Sequence, residues 1–182
     1  SKNLGAFGDG GMLTTNDDTL AEKIRMIISH GSKKKYYHTI LGVNSRLDSI
    51  QAAILDVKLK YLDEYCDARY NAAMKYNEKF KGIFETPYIM PGVKHIFHQY
   101  SIRVKNRDKM IEFLRSHGIP SMIYYPVPLH VQEAYKYEYK PGDYPVSEEI
   151  AKDIISLPMH TELTDEQVDF IASKVIEFNS LQ

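Results

Sequence analysis

The sequence predicts an α/β fold in two parts, and three observations carry that expectation. A glycine-rich turn leads into a strand-like segment and then a helix, so the chain opens on a strand-helix unit. Apolar residues then recur at helical spacing from Leu47 to Phe80. That run exceeds the usual globular helix and suits a bent or broken helix linking two domains. Past it, short strand and helix patterns alternate to the end of the chain.

The opening stretch, Ser1-Lys2-Asn3-Leu4-Gly5-Ala6-Phe7-Gly8-Asp9-Gly10-Gly11, sets one lysine ahead of four glycines in seven positions. Glycine clusters mark backbone that turns tightly or lets another group approach. A Walker loop ends on its lysine, and the dinucleotide fingerprint follows a strand and opens a helix. Here the lysine comes first, and Met12-Leu13-Thr14-Thr15 reads as a strand after the glycines. The order is therefore lysine, glycine turn, strand.

Asn16-Asp17-Asp18-Thr19 supplies N-cap candidates for a helix bearing Leu20, Ile24, Ile27 and Ile28, with Gly31 at its stop. Residues 32–43 read as a polar, tyrosine-rich loop. Its Tyr36-Tyr37-His38 suits either aromatic anchoring of a surface loop or ligand contact. The long helical pattern starts at Leu47, with a domain boundary placed near Lys60–Asp63, and Gly82 and Pro87 end it. The domains are thus 1–62 and 63–182. Cys66 falls in mid-helix with no histidine at helical spacing and reads as structural.

In the second part, residues 97–104 read as a strand with His98, Tyr100, Ile102 and Val104 on one face. Arg107–His117 reads as a helix stopped by Gly118. Pro120–Tyr125 reads as a short strand entering a proline-rich loop. Ser147–Ile155 and Thr164–Phe178 read as helices, the second opened by a capping box at Thr164-Asp165-Glu166-Gln167.

The totals narrow the function. With 182 residues and a net charge of -1, the chain offers no general field for nucleic acid or an anionic membrane. The run Lys33-Lys34-Lys35 reads as a solvated loop. A single cysteine rules out an internal disulfide and suits a reducing, cytoplasmic compartment. No apolar run is long enough to span a bilayer, and the N-terminus lacks signal-peptide character.

Metal binding is weakly supported, since His95 and His98 would point to opposite faces of a strand with no nearby carboxylate or cysteine. No serine stands in a nucleophile-elbow context. Lysine chemistry fits better, because an ε-amine condenses with an aldehyde cofactor when burial or nearby positive charge keeps it partly neutral. Asn44 and Ser45 are N-cap candidates for the helix after Leu47, and a helix N-terminus is also where phosphate binds.

The string from Ser1 to Gly11, with its strand and Thr15-Asn16-Asp17, closely resembles the Schiff-base segment of the DegT/StrS family. The resemblance continues through Asn44-Ser45-Arg46-Leu47-Asp48 and Gln51-Ala52-Ala53, Tyr125-Pro126-Val127-Pro128-Leu129-His130, and Ser156-Leu157-Pro158-Met159-His160. It covers essentially the whole chain in the family's order. These are pyridoxal-phosphate-dependent sugar aminotransferases of fold type I, the aspartate aminotransferase fold.

The resemblance implies that residues 1–62 end a large pyridoxal-phosphate-binding α/β domain and 63–182 form a small C-terminal α+β domain. It implies that Lys2 holds pyridoxal 5′-phosphate and then shuttles the substrate proton, and that Asn44 reaches the cofactor phosphate of a neighbouring subunit in a homodimer with shared sites. Arg46, Tyr36, His38, Tyr125 and His130 are the candidate substrate-side residues, with core or loop packing the favoured role for the last two. The implied reaction moves an amino group from an amino acid, L-glutamate, to a dTDP- or UDP-linked keto-sugar in deoxyamino-sugar biosynthesis.

On that resemblance an N-terminal half of the enzyme is expected to supply the acid for the pyridine nitrogen and most phosphate contacts, and residues 1–182 alone are expected to be inactive. The alternatives are an aminated-aromatic synthase, a sugar dehydratase, or an inactive binding or regulatory domain of the same fold. Dehydratases of the family carry histidine in place of the lysine, which Lys2 argues against.

Overall fold

The computed structural model describes residues 2–181; Ser1, the first residue of the family-like string, lies outside them. The chain divides into two compact units, Ser1–Leu62 and Asp63–Gln182.

In the first unit, α1 spans Asp18–Ile28, and the Asp17 side chain caps it by accepting the Leu20 N–H at 3.0 Å. Residues 32–43, expected as a loop, contain a small antiparallel hairpin of β1, Ser32–Lys34, and β2, Tyr37–His38. Tyr36 makes the turn possible by taking φ +72°, and its ring and that of Tyr37 lie against Lys35 and Lys34. Met12–Thr15, expected as a strand, belongs to no strand among the described residues. A strand exists only where a neighbour takes up its N–H and C=O groups, and no described segment does so.

The long helical pattern resolves into α2, Ser49–Leu59, and α3, Leu62–Phe80. The N-cap of α2 is Asp48, which makes no side-chain capping bond. The capping role expected of Asn44 or Ser45 is therefore not theirs. Their backbones are used elsewhere: Asn44 bridges Ser29, and the Ser45 N–H donates to the Ile28 carbonyl at 3.0 Å.

The second unit holds the core. β3, Tyr100–Arg103, pairs antiparallel with β4, Ile154–Leu157, in the register Tyr100 to Leu157. The helix expected over Ser147–Ile155 is α5, Pro145–Asp153, and it stops where Ile154 and Ile155 turn into that ladder. The expected strand at Pro120–Tyr125 reduces to a single bridge between Met122 and Ser156 on the other side of β4. Helices α4, Arg107–Ser116, and α6, Asp165–Ser180, pack on each other.

Alternation along β3 buries Tyr100 and Ile102 completely against Tyr76, Phe80, Phe97 and Leu114. Tyr76 and Tyr100 have ring centroids 4.8 Å apart, and each hydroxyl finds an acceptor, Pro158 O at 3.2 Å and Asn77 Oδ1 at 2.7 Å. Burial holds both phenols well above their ordinary pKa, so they stay neutral donors. Arg103 of β3 binds both oxygens of Asp153 at 3.0 Å and so ties the strand to the end of α5. The Thr164 capping box of α6 is formed in both directions, with Gln167 N–H to Thr164 Oγ1 and Thr164 N–H to Gln167 Oε1.

These arrangements rank two substitutions. Phe80→Ala empties a fully buried ring site and should cost about 3–5 kcal/mol in denaturant unfolding. Thr164→Ala removes one half of the capping box and should cost about 1 kcal/mol. The reverse order would mean that the aromatic cluster is not the core of this unit.

Candidate active site

Lys2 stands at the entrance of the glycine turn, exposed, with its ammonium in no ion pair among the described residues. A uncommitted amine is what condensation with an aldehyde requires. The turn behind it is not free. Phe7 N–H donates to Gln51 Oε1 at 2.9 Å, Lys58 Nζ donates to the Gly5 carbonyl, and Gly10 rests near Leu47 and Leu55. The lysine is reachable, and the backbone that carries it is fastened to α2.

Asn44 is placed by a second backbone device. Gly31, at φ +75°, and Gly42 approach so closely that a Cβ on Gly42 would lie 2.0 Å from the Gly31 nitrogen. That crossing lets His30 N–H reach Val43 O at 2.9 Å and Val43 N–H reach Ile27 O at 2.7 Å. Asn44 therefore sits beside the C-terminal end of α1 with its side chain exposed.

Arg46 lines a groove of about 1020 Å³ together with Arg25, Thr14, Thr15 and the glycines at 10 and 11. His38 is pinned by its Nδ1, 2.8 Å from the His30 carbonyl, while Tyr36 stays largely exposed at the hairpin tip. The first unit thus holds Lys2, Asn44, Arg46, Tyr36 and His38 at its surface. The groove brings Arg46 next to the glycine turn; Lys2 and Asn44 are not among the residues lining it.

In the second unit, Tyr125 and His130 line one cavity of about 800 Å³, with Tyr124, Tyr135, Tyr139 and Tyr144. Tyr125 is exposed and His130 is buried. His130 Nε2 lies 2.8 Å from Glu148 Oε1, and the Gly142 N–H donates to that same oxygen at 2.7 Å. The His130 hydrogen bond, then the Gly142 amide, hold the Glu148 carboxyl below its ordinary pKa. An ionised carboxylate only accepts, so Nε2 carries the proton and donates. Tyr144 meets the His130 ring edge-on at 4.9 Å.

Three residues of these sites were not singled out by sequence reasoning. Gln51 was visible only as part of Gln51-Ala52-Ala53, and Lys58 and Glu148 carried no signal. Their partners lie 44, 53 and 18 positions away. Among the described residues no cluster of histidine, cysteine and carboxylates is placed to hold a metal ion, and no helix is long and apolar enough to cross a membrane.

The model of the DegT/DnrJ/EryC1/StrS aminotransferase family matches residues 1–176. A protein of Geobacillus stearothermophilus named "Pleiotropic regulatory protein" is 49% identical over 98% of this chain and 49% of its own length. An Acidithiobacillus ferrooxidans protein named as a UDP-N-acetyl-3-dehydro-alpha-D-glucosamine 3-aminotransferase is 43% identical over 96% of this chain and 47% of its own. The crystal structure of a DegT DnrJ EryC1 StrS aminotransferase from Brucella abortus superposes with a TM-score of 0.92 at 42% identity, covering 97% of this chain and 48% of that one. The chain spans about half the length of the curated relatives it matches.

The Glu148 geometry fixes a pH dependence. Its folded pKa lies below the ordinary 4.5, so its contribution is full above that value and fades as pH falls through the folded pKa. Comparing wild type with Glu148→Gln by unfolding at several pH values should give the largest gap near neutrality and a shrinking gap below pH 4.5. A gap that is constant with pH, or grows in acid, would contradict the His130–Glu148 assignment.

Proposed function

This chain belongs to the DegT/DnrJ/EryC1/StrS aminotransferase family and has the α/β architecture of fold type I pyridoxal-phosphate-dependent transferases, and we propose that its protein transfers an amino group from an amino acid, L-glutamate, to a nucleotide-linked keto-sugar. The single observation behind this reading is Lys2, an uncommitted amine at the mouth of a fastened glycine turn. The residues present fit pyridoxal 5′-phosphate at two of its ends. Lys2 offers the amine for its aldehyde, and Asn44 offers an amide N–H₂ for its phosphate.

Bound there, pyridoxal phosphate supplies an electron sink for charge developing at the substrate's amine-bearing carbon. Lys2 would hold the cofactor through its amine and, once free, would serve as the base that takes the proton from that carbon. Asn44, whose backbone is held by the Ser29 bridge, would donate its side-chain N–H₂ to the phosphate of the cofactor bound in a neighbouring subunit, in a homodimer with shared sites. Arg46 and its groove suit an anionic group of the substrate, a carboxylate or a phosphate. Tyr36 and His38 on the hairpin are proposed nucleotide-sugar contacts. In the second unit, Tyr125 and His130 are proposed substrate contacts at the aromatic cavity.

The first unit leaves Phe7, Met12, Leu13 and Leu41 uncovered. Apolar surface of that kind supports a further segment of the same enzyme, the N-terminal half, packing on it. We place the protein in the cytoplasm, in keeping with its single cysteine. A second reading, a regulatory protein of the same fold, is favoured by the name of the Geobacillus relative.

Subunit mixing tests the reading in the full-length protein. Lys2→Ala should abolish cofactor attachment and turnover, and Asn44→Ala should weaken cofactor binding. In a heterodimer of the two, one site carries both lesions and the other neither, so random exchange should recover roughly a quarter of wild-type activity. No recovery after confirmed exchange would refute the shared site. A wild-type protein that neither binds pyridoxal phosphate nor transaminates would favour the regulatory reading. Residues 1–182 alone should be inactive, and turnover by them would refute the need for a further segment.

A further inference from the structure

We propose that Gln51 and Lys58 are positioning residues for Lys2: they hold the glycine turn in one conformation and thereby set where the lysine amine stands. The inference rests on the proposed role of Lys2 as the cofactor lysine. A turn with four glycines in seven positions has many backbone states, and nothing in its own sequence selects one. A lysine at its entrance would wander with it.

The selection comes from α2. Gln51 Oε1 takes the Phe7 N–H at 2.9 Å, and its amide nitrogen lies where a Cβ on Gly8 would be only 2.9 Å away. Gly8 is therefore the residue that lets the Gln51 amide lie against the turn. Lys58 Nζ donates to the carbonyl of Gly5, the one turn residue with φ +50°, and stands 5.7 Å from the Phe7 ring centroid. Lys58 makes no ion pair among the described residues, although Asp56 and Lys60 pair with each other nearby. Its charge is directed at the turn. Gln51 and Lys58 are seven residues apart, two helical turns, so both reach the glycine turn from one face of α2.

A merely structural clamp would affect stability alone. A positioning clamp also affects chemistry, since a displacement of about 1 Å at a reacting group can cost on the order of a hundredfold in rate. The absorption band of a lysine-bound pyridoxal cofactor, and the pH at which it titrates, report the local geometry independently of turnover.

The test uses the full-length protein loaded with pyridoxal 5′-phosphate, with thermal unfolding checked for every variant. Gln51→Ala should move the pH midpoint of the cofactor band and lower kcat about tenfold or more, with KM for the amino donor little changed. Gln51→Glu retains the Oε1 acceptor and should restore most of the loss. Gly8→Ala pushes the Gln51 amide away and should reproduce the Gln51→Ala phenotype, and the double variant should add nothing further. Lys58→Met keeps the apolar stem, loses the donor, and should act in the same direction.

Folded Gln51→Ala and Lys58→Met proteins with a wild-type band midpoint and kcat would overturn the proposal. So would additive losses for Gln51→Ala and Gly8→Ala, or no rescue by Gln51→Glu. Borohydride reduction and peptide mass analysis of the wild type separates the two levels. Cofactor on a lysine other than Lys2 removes the underlying reading and this inference with it. Cofactor on Lys2 with an unmoved band removes the positioning role alone.

Discussion

Two glycines touch through their backbones, and the first unit is organised by that contact. At Gly31 and Gly42 any side chain would occupy space already taken by peptide atoms, 1.8 Å from Ile40 O in one case and 2.0 Å from Gly31 N in the other. The close crossing lets residues 43–45 hydrogen-bond to the last turn of α1 and to His30. Among the described residues of this unit, Gly31 alone is buried. The unit is therefore held by peptide hydrogen bonds and a few side chains reaching backbone, with hardly any apolar core. Its uncovered apolar side chains, Phe7, Met12, Leu13 and Leu41 among them, are the surface on which the proposed further segment would pack.

The second unit is built the opposite way. Its order comes from a packed aromatic centre, Tyr76, Phe80, Phe97 and Tyr100, closed by a four-residue ladder and two helices. Polar groups enter that core only with partners, as the Tyr76 and Tyr100 hydroxyls do. The irregular stretch between Ile119 and Pro145 is tied down by the Met122–Ser156 bridge and, further on, by buried His130 with Glu148, whose same oxygen takes the Gly142 N–H. A carboxylate that takes two hydrogen bonds from groups far apart in sequence specifies the conformation of the loop between them.

What the sequence revealed follows the range of each interaction. The capping box of α6 and the Asp17 cap of α1 involve partners three residues apart, and both were legible. β4 was hidden because Ile154-Ile155-Ser156-Leu157 continues an apolar helical pattern, and only pairing with Tyr100–Arg103, about fifty residues earlier, makes it a strand. Asn44 looked like a cap because a helix follows, whereas its backbone answers to Ser29. Met12–Thr15 has strand-forming residues without a ladder among the described residues, because a strand needs a neighbour as well as a propensity.

A lysine that forms and breaks a covalent link has two requirements that oppose each other. Its amine must be reachable by cofactor and substrate, which argues for an exposed, open loop. Its position must be reproducible within a fraction of an ångström, which argues for a rigid element. In the proposed reading the two roles are separated along the sequence: Lys2 carries the amine, while the turn behind it is held from α2 at Gly5 and Phe7. Gly8 serves there because, having no Cβ, it lets the Gln51 amide lie directly against the backbone. The freedom that makes the turn floppy in isolation is thus the same property that allows it to be clamped.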